Sequence, residues 1–320
     1  MKKFLAVLLI LGLSLVVFAE GQGEAKKINY PTKPIHMVVP WAAGGGTDAV
    51  ARVLAKEAEP FLGTTIVVEN RTGGGGAVGH SAVSQAKPDG YLIGLTTVEL
   101  IIQPHIQEVP YSHEEMAPII QVNSDPAAIT VPADSEWDTL EEFLDYARAH
   151  PGELQCSGTG YAGIWHIALL DLSQKSGTEF TFVPSQGAAP AVTELLGGHI
   201  DFVSCSPPEV AAQVEAGQLK MLAVSGNERH PNFPDVPTMA ELGYDVQTTV
   251  WRGVQAPKGT PQEIIDILHD AFKKAYESEN FKKTMNNVGL GMVYRNGEDF
   301  KKMIAESYDT FGEIVSAFDL

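Results

Sequence analysis

The sequence predicts an α/β protein of two lobes, each a mostly parallel β-sheet flanked by helices, with a hinged cleft between them. Two observations lead to this fold class. Short apolar runs alternate with helical patterns almost throughout the chain, and this alternation is typical of parallel strands joined by helices. The chain of 320 residues is also longer than one hydrophobic core usually accommodates, which favours two lobes.

The first lobe is predicted from residues 28–123. The apolar run 35–39 is typical of a strand, and the amphipathic segment 47–61 that follows it is typical of a helix. The alternation continues with strands at 65–69, 91–96 and 119–122 and with a helix at 76–86.

The second lobe is predicted from residues 124–250, where the alternation starts again. Thr139 directly before Leu140, Glu141 and Glu142 is typical of a helix start. The predicted strands are 127–131, 154–157, 180–183, 201–205 and 219–224, and the predicted helices are 139–149, 164–175, 190–197 and 208–216.

Residues 251–320 contain one predicted strand, and their other predicted elements are helices. The strand is 253–256, and the helices are 261–278, 279–288 and 297–317. Because one strand is too little for a separate core, we expect this segment to pack on the first lobe. The chain then crosses between the lobes at least twice, which is the geometry of a hinge.

Residues 1–19 predict a secretory signal peptide. Lys2 and Lys3 precede an apolar stretch that ends at Phe18, and the small residue Ala19 follows. The stretch is shorter than the roughly 18–20 apolar residues that cross a membrane. We therefore expect cleavage after Ala19 and a periplasmic or other extracytoplasmic location.

The net charge narrows the class of partner. The chain has 22 basic and 40 acidic residues, which gives a net charge of −18. Cleavage after Ala19 would remove Lys2 and Lys3 and change the net charge to 20 − 40 = −20. Such a charge argues against nucleic acid and anionic membrane surfaces as partners. An anionic ligand would be attracted by local N–H groups and helix dipoles instead of the overall field.

Four glycine-rich loops, each after a predicted strand, are the strongest functional signal; they are residues 40–48, 73–79, 157–163 and 184–190. In the first of them, Gly44–Gly46 let the backbone approach a ligand, and Thr47 or Asp48 can cap the helix that follows. A helix start of this kind is a site for an anion. Trp41 in the same loop is expected to line a pocket.

The glycine spacing also fits a competing hypothesis, an exported oxidoreductase that binds a dinucleotide. The pattern G-x-G-x-x-G occurs at 74–79 and at 158–163, and Glu99 lies about twenty residues beyond the first. Two matches in one exported chain are explained more simply by anion-binding turns. We therefore predict no cofactor.

Other catalytic and metal patterns are weak. The nine histidines contain no pair three to five residues apart, so the sequence predicts no zinc site. His166 either faces the cleft or satisfies the first turn of its helix. Arg252 either binds a carboxylate ligand or pairs with a neighbouring acid, as does Arg71. A disulfide between Cys156 and Cys205 remains open, although adjacent parallel strands often give poor disulfide geometry.

Several blocks of residues, in a fixed order, resemble the substrate-binding receptors of tripartite tricarboxylate transporters, also called Bug-type receptors. The first blocks include Gly44-Gly45-Gly46-Thr47-Asp48 and Pro88-Asp89-Gly90-Tyr91, and a later one is Leu195-Leu196-Gly197-Gly198-His199-Ile200-Asp201. The others are residues 30–35, 38–40, 67–73, 158–166, 187–190, 234–238 and 251–261. The resemblance covers essentially the whole mature chain.

The resemblance implies a type II periplasmic-binding-protein fold that closes on a small carboxylate-bearing ligand and delivers it to a membrane permease without catalysis. We also expect a monomer. Ligand contacts are then expected from loops of both lobes. The expected contact residues are Trp41, Ala42, Ala43, Gly44, Gly45, Gly46, Thr47, Asp48, Gly74, Gly75, Gly76, Gly79, Thr96, Thr97, Ser157, Thr159, Gly160, Tyr161, Ala162, His166, Ser185, Gln186, Gly187 and Ala188.

The chain departs from the family pattern at two places. Ser185-Gln186 replaces an aromatic and a cation, and Ala42-Ala43 replaces prolines. The ligand therefore stays open among dicarboxylates, tricarboxylates, amino acids and aromatic acids. A receptor that signals to a membrane kinase would use the same fold and remains an alternative to transport.

Overall fold

Two β-sheets, of six and five strands, organise the part of the chain that the computed structural model describes, residues 28–287 and 289–317. In chain order the strands β1 to β11 are Ile35–Val39, Ile66–Asn70, Leu92–Thr97, Met116–Pro126, Ala128–Pro132, Gln155–Ser157, Thr181–Phe182, Phe202–Cys205, Leu219–Val224, Thr249–Pro257 and Met292–Asn296. The helices α1 to α10 are Gly46–Leu62, Ala77–Ser84, Glu99–Ile102, Leu140–Ala149, Ile164–Ser176, Ala188–Leu196, Pro207–Glu215, Gln262–Glu277, Glu279–Asn287 and Gly297–Ala317.

Both sheets are mixed, which corrects the expectation of mostly parallel sheets. The first sheet has the order β11-β4-β10-β3-β1-β2, and the second has β7-β6-β8-β5-β9. Strand β10 is antiparallel to both β3 and β4, and β5 is antiparallel to both β8 and β9. Only Ala127 separates β4 from β5, so the chain changes sheets there without the crossover connection that a parallel pair requires.

The predicted strands and helices agree with the structure to within a few residues, with two omissions. Strand β11 was not predicted, because its sequence Met-Val-Tyr-Arg-Asn is not an apolar run. Helix α3 has only four residues, too few to show a period. The predicted lobe boundaries, 28–123 plus 251–320 and 124–250, stay a prediction, because the described residues from Pro31 onward form a single compact unit.

The C-terminal strands lie in the first sheet, on either side of β4. Strand β10 pairs with β3 and β4, and β11 pairs with β4. Helix α8 packs on α1. The C-terminal segment thus completes the sheet that carries the first glycine loop.

The predicted signal peptide, residues 1–19, lies outside the described residues. Among the helices of the described ranges, none is both long enough and apolar enough to cross a membrane.

The two cysteines are buried free thiols, so the disulfide that the sequence left open is not formed. They lie on adjacent parallel strands, whose register pairs Cys156 with Phe202 instead of with Cys205. Burial raises the pKa of both thiols, which keeps them protonated.

An aromatic cluster forms the core beside the second sheet. The Phe143 ring, on α4, lies 5.3 Å from Trp137, 5.5 Å from Phe180 and 4.9 Å from Phe202 between ring centres. Phe143 is fully buried. The cluster joins α4 to β8 and to the segment that enters β7.

We expect Phe143→Ala to lower the free energy of unfolding by about 3–5 kcal/mol, because it removes buried contacts and leaves a cavity. Phe61→Ala, at a side chain that is 51% exposed, is the matched control and should cost less than about 1 kcal/mol. Urea denaturation followed by circular dichroism measures both. Equal costs would contradict this account of the core.

Candidate ligand-binding site

The glycine-rich loops of the two sheets face each other across a narrow cleft. The Ala42 amide donates to the Gln186 carbonyl at 3.1 Å. A Cβ atom placed on Gly160 would lie only 2.8 Å from the Cα of Gly75. The predicted loops therefore meet, and glycine is required where the backbones approach most closely.

The first loop is held by Asp48, although this residue is not the helix cap that the sequence suggested. The N-cap of α1 is Gly45, and Asp48 stands in the first turn. Its carboxylate accepts from the Gly44 amide at 3.0 Å, from Arg52 Nε at 2.9 Å and from Asn70 Nδ2 at 2.9 Å. Burial alone would raise the pKa of Asp48, but these bonds lower it. Asp48 is thus a charged brace for the loop.

Behind the loops lies an inner pocket with a volume of about 10 Å³, which is room for about one water molecule. Its lining comes from both sheets. The predicted residues in it are Trp41, Ala42, Gly45, Gly46, Thr47, Thr159, Gly187 and Ala188, and the others are Glu99, Ile164, Trp165, Glu209, Val250 and Arg252.

A glutamate from α7 accepts a hydrogen bond from the amide at the start of α1. Gly46 N donates to Glu209 Oε1 at 3.1 Å across the cleft. The other carboxylate oxygen accepts from Ser206 N at 3.0 Å and from Ser206 Oγ at 2.9 Å. The Glu209 side chain is only 6% exposed. The helix start that the sequence predicted as an anion site therefore holds a carboxylate of the protein itself.

A second glutamate makes the reciprocal contact. Ile164 N, at the start of α5, donates to Glu99 Oε1 at 3.0 Å. Thr97 Oγ1 donates to the other carboxylate oxygen. Burial raises the pKa of Glu99, which is 1% exposed. We call Glu99 and Glu209 the cross-cleft glutamates, because each binds the helix start that lies beyond the cleft.

Arg252 is the only arginine or lysine among the residues that line the inner pocket. It forms a buried ion pair with Asp125. It also donates from Nη1 to Asn123 Oδ1 at 2.5 Å and from Nε to Thr47 Oγ1 at 2.9 Å. Its Nη2 is 3.8 Å from Glu209 Oε1. Of the two interpretations that the sequence left open, pairing with an acid is the one observed.

An outer pocket of about 300 Å³ opens beside the inner one. Tyr161 lines this outer pocket, and 54% of its surface is exposed. Its lining comprises the predicted residues Trp41, Gly74, Gly75, Gly160, Tyr161, Ser185 and Gln186, together with Gly73, Gln103, Ile106, Gln107 and Pro184.

The remaining predicted residues line neither pocket; they are Ala43, Gly44, Asp48, Gly76, Gly79, Thr96, Thr97, Ser157, Ala162 and His166. Of these, Thr97 acts on the site through Glu99 and accepts from Trp41 Nε1 at 3.2 Å. His166 has a local role, because Nδ1 accepts from the Ala162 amide at 3.0 Å and the ring stacks on Phe182. Burial lowers the pKa of His166 to about 4, so the ring is neutral.

The sequence prediction missed the cross-cleft glutamates as site residues. A signal for Glu209 was present: Ser206 and Glu209 have the spacing of a capping box, which the structure contains. Glu99 follows the end of β3 closely, where ligand sites of α/β proteins lie. Neither signal indicates that the side chain reaches the opposite sheet. Only the tertiary structure shows this contact.

The two G-x-G-x-x-G turns, on which the dinucleotide hypothesis depended, pack against each other where Gly160 approaches Gly75. Within the described ranges, no three histidine, cysteine or acidic residues are grouped as metal ligands.

We expect Arg252→Met to lower the free energy of unfolding by about 3–5 kcal/mol, because it leaves Asp125 as an uncompensated buried charge. Arg71→Met, which removes a partly exposed pair with Glu69, is the control and should cost less than about 1 kcal/mol. Replacing both partners, as Arg252→Met with Asp125→Leu, should recover much of the loss. Chemical denaturation measures all three, and an Arg252→Met cost as small as the control would contradict this role.

Comparison with known proteins identifies the family. The pattern of the tripartite tricarboxylate transporter family receptor, TctC, matches residues 50–320. The protein BugT of Bordetella pertussis is 32% identical over 310 residues, which cover 93% of this chain and 94% of BugT.

Solved structures of similar proteins point to the same family. The periplasmic binding protein BugD is 31% identical with a TM-score of 0.86 over 90% of this chain and 98% of its own. MatC of Rhodopseudomonas palustris, solved with bound malate, is 25% identical with a TM-score of 0.84 over 89% of this chain and 100% of its own. The predicted periplasmic-binding-protein fold is thereby confirmed, and these neighbours are solute-binding proteins. The chain belongs to the receptor family of the tripartite tricarboxylate transporters.

Proposed function

We propose that this receptor is exported, binds a small carboxylate-bearing ligand between the loops of the two sheets, and delivers it to the permease of a tripartite tricarboxylate transporter. One observation carries the ligand class: the amide of Gly46, at the start of α1, already bonds a carboxylate, that of Glu209. Hydrogen-bond geometry and helix dipole favour the same group on a ligand. The malate in MatC supports this proposal.

The proposed binding residues are those predicted residues that line the inner and outer pockets. Trp41 belongs to both pockets and provides an apolar wall beside the polar loops. The backbone groups around Gly46 and Gly75 would hold the carboxylate, and Ser185 and Gln186 would contact the rest of the ligand.

Entry of a ligand requires the cleft to open. The inner pocket of about 10 Å³ has no room for an organic acid. We propose that residues 124–250 move as one lobe against 28–123 and 251–320. The strands β4 and β10 connect the lobes, so the hinge would lie near their ends. A ligand favours the closed state only by the contacts that it gains there from both lobes.

The mature receptor would begin near Glu20 and act as a periplasmic monomer. This proposal rests on the pattern of residues 1–19 and on the family. The permease would recognise the loaded, closed form.

A thermal-shift screen of purified protein tests the ligand class. Mono-, di- and tricarboxylates and amino acids are compared with alcohols and amines of the same carbon skeleton. A binding acid at a hundredfold excess over its Kd should stabilise the protein by about 2.7 kcal/mol, whereas the skeletons without a carboxylate should have no effect. Stabilisation by the alcohols or amines alone would contradict the proposal.

We expect Gly46→Val to weaken binding of the tightest acid from this screen by more than tenfold, or about 1.4 kcal/mol. The reason is steric, since a Cβ at Gly46 would lie 2.9 Å from Arg252 Nη2 and 3.2 Å from Glu209 Oε1. Ala43→Val is the control, because Ala43 is exposed in the same loop and lines neither pocket. Calorimetry gives the affinities. Unchanged affinity in a folded Gly46→Val protein would mean that the loop is only a turn.

A further inference from the structure

The inner pocket contains more acid than a receptor for plain carboxylates needs. Glu99 and Glu209 both line it, and Arg252 is the only lysine or arginine in its lining. The charge of Arg252 is already balanced by Asp125, to which it is paired while both side chains are almost fully buried. Among the described residues, two acidic side chains and no unpaired cation therefore line the place that a ligand has to enter.

Opening the cleft removes one hydrogen bond from each cross-cleft glutamate. Glu209 loses the amide of Gly46, at 3.1 Å, and Glu99 loses the amide of Ile164, at 3.0 Å. The two amides lose their acceptors at the same time. A ligand that separates these pairs and is then enclosed must supply an acceptor to the amides and a donor to the glutamates, because buried unpaired polar groups are costly.

A plain dicarboxylate meets only half of this requirement. Its oxygens can accept from the amides, but an ionised carboxylate offers no proton to the glutamates. A protonated amine offers three donors and a positive charge, and an opposite charge at close range stabilises a buried carboxylate.

A hydroxyl in the same pocket also lacks a partner. Thr159 lines the inner pocket and is 6% exposed. Its Oγ1 makes no hydrogen bond to the described part of the protein. A hydroxyl both donates and accepts, so it can bond either the amine or the carboxylate of an enclosed ligand.

We infer that the ligand is an amino acid or another small amino-carboxylate, and that Glu99 and Glu209 select its ammonium group. The ligand carboxylate accepts from the helix starts of α1 and α5, in place of the glutamates. The ligand ammonium donates to the glutamates, in place of the two amides. This inference rests on the proposed function, since it places the ligand in the same cleft, and it narrows the ligand class.

Matched pairs of probes test this inference in isothermal calorimetry. The pairs are aspartate and succinate, glutamate and glutarate, and leucine and 4-methylpentanoate, with putrescine as an amine without a carboxylate. We expect the amino-carboxylate of at least one pair to bind at least tenfold more tightly than its deaminated partner.

Charge-neutral variants identify the residues responsible. Glu209→Gln and Glu99→Gln keep the shape of the side chain, and each should reduce the preference for the amino-carboxylate over its deaminated partner at least tenfold. Glu215→Gln, at an exposed position of the same helix as Glu209, is the control and should keep the preference. A preference that persists in both folded variants would overturn the assignment to these residues. If a variant does not fold, the pairs measured on the unaltered protein still decide the ligand class.

The outcomes separate this inference from the proposed function. Equal or tighter binding of the deaminated partners in every pair would overturn the inference and leave carboxylate binding intact. Binding of putrescine alone would overturn the carboxylate proposal while supporting cation recognition by the glutamates. Absence of binding by every probe would count against both.

Discussion

The buried ion pair between Arg252 and Asp125 is the interaction on which the arrangement of the site depends. Arg252 lies on β10 and Asp125 on β4, the two strands that connect the first sheet to the second. Two buried charges are tolerated only when their hydrogen bonds are complete. Here Asn123 and Thr47 accept hydrogen bonds from the guanidinium, and the Gly291 amide donates to Asp125 at 2.6 Å. One network thus joins the connecting strands to the helix that carries the first glycine loop.

The cross-cleft glutamates extend this network to the cleft itself. Glu209 lies 3.8 Å from the guanidinium of Arg252 and also accepts from Gly46. Glu99 makes the equivalent bond to Ile164. Because each bond joins residues of opposite sheets, the proposed opening of the cleft would break both bonds. Affinity in such a site depends on whether a ligand replaces the lost bonds, more than on the area that it buries.

The glycines have a different role from the one that a nucleotide-binding pattern would give them. Gly75 and Gly160 are required because two backbones approach each other, and a side chain on Gly160 would collide with Gly75. Gly79 is required where α2 passes Pro40, at 2.7 Å from the position of a Cβ. Of the glycines in the two patterns, Gly160 therefore serves contact across the cleft, and Gly79 serves packing beside the first strand.

The sequence by itself determined the fold class, most strands and helices, the family and the loops that meet at the cleft. These features follow from local periodicity, from glycine at turns and from blocks of adjacent residues such as 44–48, all of which are visible along the chain. Tertiary structure alone decided the strand directions, the pairing of Arg252 with Asp125, and the reach of Glu99 and Glu209. The sequence separation is 127 residues for Arg252 and Asp125, 65 for Glu99 and Ile164, and 163 for Glu209 and Gly46. No local sequence pattern predicts which buried charge pairs with which partner.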